Sequence, residues 1–168
     1  LIIIAFALSA ILFTACGYKV TYNLSGGSIP PEAKTFSVAY FPNNAPMVAP
    51  TLSNVLTEGL RDKFSRQTRL QQVDEGGDFA FEGEITNYTS TTASVSSGDY
   101  ALQNRLTITV KVNFQNAVDQ TLSFNNKSFS AYADFDAMTS LDAVEAELCE
   151  QIVEQLCDDI FNATVANW

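Results

Sequence analysis

The sequence contains no histidine, and it has few basic residues. Nine Lys and Arg stand against 19 Asp and Glu, which gives the 168 residues a formal net charge of −10. Without histidine, Ser-His-Asp and Cys-His catalysis, His-ligated zinc and histidine acid–base chemistry are excluded. Binding to nucleic acid needs clustered Lys and Arg, so we expect no nucleic-acid partner.

Carboxylate chemistry is the one catalytic option that these absences leave open. Glu82 and Glu84 lie on one side of a predicted strand, and Asp134 and Asp136 lie on one side of another. Such pairs serve in acid–base catalysis, but they are equally common on solvated strand faces. The sequence has no phosphate loop, zinc-ligand spacing, calcium loop or nucleophile elbow. We therefore predict a protein that is not an enzyme and that carries no cofactor or metal.

Cysteine is also scarce, with three residues. Cys149 and Cys157 lie in a strongly helical stretch, where their spacing separates them by about 12 Å along the helix axis. A disulfide needs Cα atoms within roughly 7 Å. Both are therefore predicted to be free thiols in apolar surroundings.

One long apolar run is present, Leu1–Phe13, and Phe13-Thr14-Ala15-Cys16-Gly17 ends it. The run is short for a membrane span, which needs about 20 residues. An apolar residue and two small ones before cysteine look like a bacterial lipobox. We predict a lipoprotein signal peptide over residues 1–15, truncated at its start, with lipidation of Cys16. The alternative is a short buried helix followed by an ordinary cysteine.

The rest of the chain predicts a tether and one domain. Residues 16–34 contain Gly26-Gly27-Ser28 and Pro30-Pro31, which are typical of a linker between the lipidated cysteine and the first strand. The domain occupies residues 35–168. Hydrophobic alternation predicts strands near Thr35–Phe41, Phe79–Thr86, Leu102–Phe114 and Leu122–Phe135, and helical spacing predicts helices over Thr51–Gln67 and Thr139–Asn162. Leu70–Val73 is predicted to be a short strand or the lead-in to one.

These elements predict an α+β fold, a two-layer sandwich. One mostly antiparallel sheet of four or so strands would carry two helices packed on one face. Its other face has Thr, Asn, Gln and a few charges, so it stays solvated or meets a partner. A change of apolar phase predicts a bulge near Asn125–Ser128. Gly59 lies on the apolar side of the first helix and would allow that helix to approach a sheet closely.

Two charged groups are candidates for binding. Lys63, Arg66 and Arg69 lie near the end of the first helix, where they complement the helix dipole or form an anion site for phosphates. Glu150 and Glu154 belong to an acidic stripe on the second helix. This stripe is a solvated face that aids solubility, or a surface for a basic partner.

Several short sequence segments, taken in their order along the chain, resemble the LptE family, the lipoproteins that help to assemble lipopolysaccharide transport machinery in the outer membrane. The resemblance is to a divergent branch and covers nearly the whole chain after Ala15. The segments are Cys16-Gly17-Tyr18, Gly27-Ser28-Ile29-Pro30-Pro31, Tyr40-Phe41-Pro42-Asn43, Leu60-Arg61-Asp62-Lys63-Phe64, Phe81-Glu82-Gly83-Glu84-Ile85, Asn104-Arg105-Leu106-Thr107-Ile108, Phe129-Ser130-Ala131-Tyr132-Ala133-Asp134, Asp159-Ile160-Phe161-Asn162 and Asn167-Trp168.

The resemblance implies a small sheet with two helices and a non-enzymatic role. Family members plug the lumen of the outer-membrane β-barrel LptD, support its folding and contact lipopolysaccharide on its way to the cell surface. It thus implies a lipid-anchored protein of the outer membrane, on the periplasmic side and in the barrel lumen. Its partners would be LptD, lipopolysaccharide and the membrane, the last through N-terminal acyl chains such as palmitate.

The resemblance also bears on the charged candidates. Lipopolysaccharide contact in better-known members is attributed to basic residues, whereas this chain is net acidic, and Lys63, Arg66 and Arg69 form its dense basic group. They would touch lipid A phosphates, and Glu150 with Glu154 would face a basic barrel wall. The alternative function is a free-standing periplasmic lipoprotein, ligand-binding or structural, of another envelope complex.

Overall fold

The computed structural model describes residues 29–47, 49–93 and 102–165. The predicted signal peptide (residues 1–15), Cys16, most of the tether and the closing Asn167-Trp168 lie outside the described residues. The elements, in order, are β1 (Thr35–Val38), α1 (Leu52–Gln67), β2 (Gln71–Gln72), β3 (Phe79–Ala93), β4 (Gln103–Asn116), β5 (Phe124–Asp136) and α2 (Leu141–Val165).

The strands form one five-stranded sheet in the order β2-β1-β3-β4-β5. β3 pairs antiparallel with β4, and β4 with β5, as the alternation predicts. The predicted, mostly antiparallel sheet of four or so strands has five strands and is mixed, since β1 is parallel to both β2 and β3. The physical reason is α1, since a helical crossover returns the chain in the same direction.

Both helices pack on one face of this sheet, which confirms the two-layer α+β prediction. Leu52, Leu56, Leu60 and Phe64 recur at helical spacing and bury the inner side of α1. Alternate residues of the strands meet them, among them Phe36, Phe81, Ile108 and Phe114, which are fully or almost fully buried. Aromatic rings join the layers, since the Phe64 and Phe81 ring centroids are 4.5 Å apart.

The two helices touch closely where α1 carries Gly59. A Cβ atom at this position would lie 3.1 Å from Val153 Cγ1 and 3.3 Å from Cys157 Sγ, both on α2. The predicted close approach therefore exists, but the neighbour is the other helix rather than the sheet. The missing Cβ allows the backbone of α1 to lie against α2.

The predicted bulge is present in β5. The β4–β5 register shifts between Val112 and Phe114, and Asn126 opposite has a φ of 53°. Asn is one of the few residues other than glycine that adopt this left-handed conformation at low cost. The bulge restores the apolar phase, so that Phe129 and Phe135 face the helices and are buried.

The two cysteines of α2 are free and buried, as their spacing predicts. Burial raises the pKa of Cys149 to about 11 and that of Cys157 to about 12. Both thiols are therefore protonated at neutral pH and serve as small core side chains. Within the described ranges, no helix is long and apolar enough to cross a membrane.

Candidate functional site

The face of the sheet opposite the helices, here called the open face, is built by alternate residues of β3, β4 and β5. Three cross-strand rows define its centre. The rows are Thr91–Arg105–Asp134, Thr89–Thr107–Tyr132 and Asn87–Thr109–Ser130. The Thr109 and Ser130 hydroxyl oxygens are 3.1 Å apart. The open face is therefore hydroxyl-rich and has little net charge at its centre, although the chain is strongly acidic.

Arg105, Tyr132 and Asp134 form an ordered cluster on the open face. Arg105 donates from Nε to Asp134 Oδ1 at 2.7 Å and from Nη2 to Oδ2 at 2.9 Å. The guanidinium carbon lies 3.7 Å from the centroid of the Tyr132 ring, which is 49% exposed. The ion pair raises the pKa of Arg105 and lowers that of Asp134. Arginine and tyrosine are enriched among the residues that contribute most of the binding energy in protein interfaces.

Further along the open face, six residues along β4 from Arg105, a groove of about 370 Å³ lies between Tyr40 and Lys111. Glu82 and Glu84 line it. Asn44 Nδ2 donates to Glu84 Oε2 at 2.7 Å. The groove thus presents carboxylates, an amine and an aromatic ring that is 58% exposed at Tyr40.

The second carboxylate pair from the sequence has separate partners. Asp134 is held by Arg105, and Asp136 Oδ1 accepts a hydrogen bond from the Met138 amide at 2.7 Å. The lowered pKa of Asp134 keeps it ionised, which is unsuited to proton donation near neutral pH. This pair therefore holds the surface and the following turn in place.

The predicted basic group is divided among three different contacts. Lys63 pairs with Asp158 of α2. Arg66 pairs with Asp62 of its own helix at 2.9 Å and stays 78% exposed. Arg69 Nη2 donates to the backbone carbonyls of Ile29 and Pro30, at 2.9 and 2.7 Å. Each side chain thus has its own neighbour, and Lys63 contributes to the packing of the two helices.

The predicted acidic residues Glu150 and Glu154 are exposed on α2. They share this helix with Asp158, which Lys63 binds, and with Glu145. The Tyr88 hydroxyl donates to Glu145 Oε1 at 2.5 Å. Burial and this carboxylate both raise the pKa of Tyr88. α2 carries no Lys or Arg from Leu141 to Val165, so its outer side has a uniformly negative character.

The chain enters the domain at a fixed point. Asp78 Oδ2 accepts from the amides of Lys34 and Thr35, at 2.8 and 3.0 Å, and from the Thr35 hydroxyl at 3.0 Å. These hydrogen bonds lower the pKa of Asp78. Ala33 is fully buried beside them. The end of the predicted tether is thereby part of the folded unit.

Sequence reasoning missed the Arg105–Tyr132–Asp134 cluster. The alternation does place each of these residues on the solvated face of its strand. Their contact depends on the β4–β5 register, which pairs Arg105 with Asp134. That register depends on the length of the β4–β5 connection and on the bulge at Asn126. The sequence alone does not give both, so it does not show which residues of β4 and β5 lie opposite each other.

These features define a two-layer α+β domain with an ordered, polar sheet face opposite its helices. Solved structures share the fold. A hypothetical protein from Chlamydia trachomatis matches with a TM-score of 0.55 at 8% identity, over 80% of this chain and 99% of that one. A protein from Xanthomonas campestris gives 0.52 at 14% identity, over 83% and 90%. An uncharacterized lipoprotein B from Nitrosomonas europaea gives 0.50 at 13%, over 86% and 87%.

The family follows from the sequence match. No curated protein matches the chain. The family model described as LptE, lipopolysaccharide-assembly, matches residues 33–164, and the chain belongs to this family. The resemblance to the LptE family is thereby confirmed. The match runs from the buried Ala33 to the last turn of α2, so it spans both layers of the fold.

Proposed function

We propose that this chain is a non-enzymatic outer-membrane lipoprotein that plugs the LptD β-barrel and helps to assemble it for lipopolysaccharide transport to the cell surface. The observation that carries the proposal is the family match over residues 33–164. It covers all the elements that build the open face and the acidic side of α2. In this proposal the folded domain acts through its surface, by contact with the barrel, and not through a catalytic site.

The surface chemistry suits a plug. Barrel lumens are polar, so a plug needs a polar exterior that hydrogen-bonds to the wall. The open face supplies hydroxyls, and the Arg105–Tyr132 pair supplies an ordered anchor. Glu150 and Glu154 supply negative charge for a basic wall. Charge reversal at these two positions, Glu150→Lys with Glu154→Lys, should weaken the complex with the barrel and leave the unfolding midpoint of the free protein unchanged. If the complex is equally stable, the acidic stripe faces solvent and does not contact the barrel.

The membrane attachment in this proposal is the acylated Cys16. A structural relative from Nitrosomonas europaea is named a lipoprotein. Several acyl chains on one cysteine, at about 0.8 kcal/mol per buried CH₂, would give stable anchoring. Mass spectrometry of the mature N-terminal peptide tests this step. A peptide that begins at Cys16 and carries acyl mass is expected, and an uncleaved Leu1–Ala15 segment contradicts it.

Lipopolysaccharide contact is proposed at Lys63, Arg66 and Arg69. The exposed Arg66 is the residue best placed to reach a lipid A phosphate, because Lys63 is engaged by Asp158. Replacement of all three by Ala should lower lipopolysaccharide binding while barrel association survives. Lys63→Ala alone shows how much of this loss comes through the contact between the two helices, because Lys63 pairs with Asp158. Unchanged binding in the triple variant removes the proposal.

The experiment that tests the function is purification of the tagged protein from its own outer membranes in a mild detergent. A large β-barrel protein should co-purify in a 1:1 ratio. Elution of the protein alone under mild conditions contradicts the plug and favours a free-standing periplasmic lipoprotein.

A further inference from the structure

The outer edge of β3 loses its neighbour half-way along the strand. β1 pairs with β3 only over Phe79–Phe81, and the chain after β1 follows β3 as far as Ile85. There, the Ile85 amide donates to the Pro42 carbonyl and the Ile85 carbonyl accepts from the Asn44 amide, both at 2.9 Å. Beyond this point, within the parts of the chain that the structure describes, β3 pairs only with β4.

The register shows which backbone groups face this open edge. Gln155 Nε2 donates to the Tyr132 carbonyl at 3.5 Å, so Tyr132 turns its backbone polar groups away from β4. Its partner Thr107 consequently turns its own groups toward β3 and bonds with Thr89. Because such pairs alternate, the residues of β3 that turn their polar groups outward are Tyr88, Ser90 and Thr92.

This edge lacks the features that normally protect a strand edge. Asn87–Ala93 reads Asn-Tyr-Thr-Ser-Thr-Thr-Ala and contains no charge and no proline. The β3–β4 register shifts between Ile85 and Asn87, so the bulge lies before this segment and not within it. Natural sheets use charges, prolines and bulges to prevent strand addition. Exposed N–H and C=O groups on such an edge are a template for main-chain pairing with an extended segment.

Charge indicates what kind of segment fits. Glu145 of α2 reaches across the helix-side surface to Tyr88, and α2 contributes no positive charge. A strand added about 4.8 Å beyond β3 would place alternate side chains on that same side. Lys or Arg there would meet the Glu145 carboxylate. A second copy does not fit, because its Asn87–Ala93 edge has no basic residue and each copy carries a charge of −10.

We propose that an extended segment of a partner protein, with Lys or Arg on its helix-facing side, adds to β3 as a further strand. Its main chain hydrogen-bonds to Tyr88, Ser90 and Thr92, and its basic side chain pairs with Glu145. This inference rests on the proposed function, and the segment belongs to the partner barrel. It identifies one place where the plug and the barrel chain join.

The test uses a proline that removes one outward N–H group. Ser90→Pro deletes a donor that faces the edge and leaves the ladder to β4 intact, as proline allows on an edge strand. Ser128→Pro is the matched control, because Ser128 occupies the equivalent outward position on the far edge, in β5, and is exposed. Both full-length variants are compared with the parent chain for binding to the barrel, after equal unfolding midpoints show that each is folded.

Ser90→Pro should weaken barrel binding by at least about fivefold, the loss of one net hydrogen bond, and Ser128→Pro should not. Amide exchange on the co-purified complex gives a second readout without mutation. The amides of Tyr88, Ser90 and Thr92, which face the edge, should exchange at least about tenfold more slowly in the complex than in the free protein. A barrel that co-purifies while these amides exchange as fast as before overturns the inference and leaves the proposed function intact. Absence of any barrel overturns both.

The basic side chain is tested by Glu145→Gln, which keeps an acceptor for the Tyr88 hydroxyl and removes the charge. Binding should weaken about threefold to tenfold at low salt, and the difference should shrink at high salt, because screening already removes the attraction. Equal salt dependence in the parent and the variant contradicts the charge assignment. A dimer of this chain that Ser90→Pro dissociates would identify a second copy as the occupant and overturn the proposal.

Discussion

Replacement of Gly59 by Ala tests how closely the two helices approach each other. In an exposed helix interior, Gly→Ala stabilises by about 0.8–1.0 kcal/mol. Here the added methyl would lie 3.1 Å from Val153 Cγ1 and 3.3 Å from Cys157 Sγ. Overpacking of a dense core typically costs about 1–3 kcal/mol. Because the second effect outweighs the first, we expect a net loss of about 1 kcal/mol.

A double-mutant cycle separates the two contributions. Val153 is 4% exposed, so Val153→Ala alone should cost about 2 kcal/mol through the cavity it leaves. In that background the nearest atom is gone, and Gly59→Ala should become neutral or stabilising by up to about 1 kcal/mol. The coupling energy should therefore be about 1–2 kcal/mol, within the range for residues in contact.

The assay is urea unfolding followed by circular dichroism, on the chain from residue 16 onward with Cys16→Ser to prevent acylation. The midpoint should fall in Gly59→Ala while the slope stays unchanged. Stabilisation by Gly59→Ala in the parent chain, or strict additivity in the double variant, would refute the close helix contact.

Three further predictions concern the polar contacts. Asp78 has a lowered pKa, so the ionised carboxylate stabilises the fold at pH values above the ordinary Asp pKa of about 4, and this stability is lost as the pH falls from there through the lowered pKa. Asp78→Asn should therefore reduce the loss of unfolding free energy between pH 6 and pH 2. An unchanged pH profile of stability would contradict this role of Asp78. Tyr88→Phe removes the donor to Glu145 and should lower the free energy of unfolding by about 1.5 kcal/mol in urea, whereas a loss under about 0.3 kcal/mol would show that the bond contributes little. Arg105→Ala with Tyr132→Ala should weaken barrel binding at least about tenfold, with stability changed by less than about 1 kcal/mol, and unimpaired binding would leave the cluster outside the interface.

The elements with a strong period could be predicted from the sequence. Residues 102–114 alternate because one side of β4 meets the helices and the other meets solvent. The bulge could be predicted because an extra residue changes which residues point inward, and the phase of Phe129 and Phe135 shows this directly. Helix α2 could be predicted because apolar residues recur at helical spacing and form one buried stripe, which includes Leu148, Ile152 and Leu156. The helix ends at Val165.

What could not be predicted depends on contacts between distant residues. The strand predicted near Leu70–Val73 is present as β2, Gln71–Gln72, but its parallel pairing to β1 depends on the crossover through α1. The three residues of the predicted basic group have separate partners in the structure. The partner of Lys63 is Asp158, which is distant in the sequence and comes close only when the two helices pack. Local spacing places charges on a helix face, whereas the packing of the two helices decides which of them remain available.

The measurement that tests the central claim most directly is the delivery of lipopolysaccharide to the cell surface after depletion of this protein. If the chain assembles and plugs the barrel, the amount of folded barrel in the outer membrane should fall, and newly made lipopolysaccharide should stop reaching the surface. Re-expression of the parent chain should restore both. Normal amounts of folded barrel and surface lipopolysaccharide in cells without the protein would contradict the account.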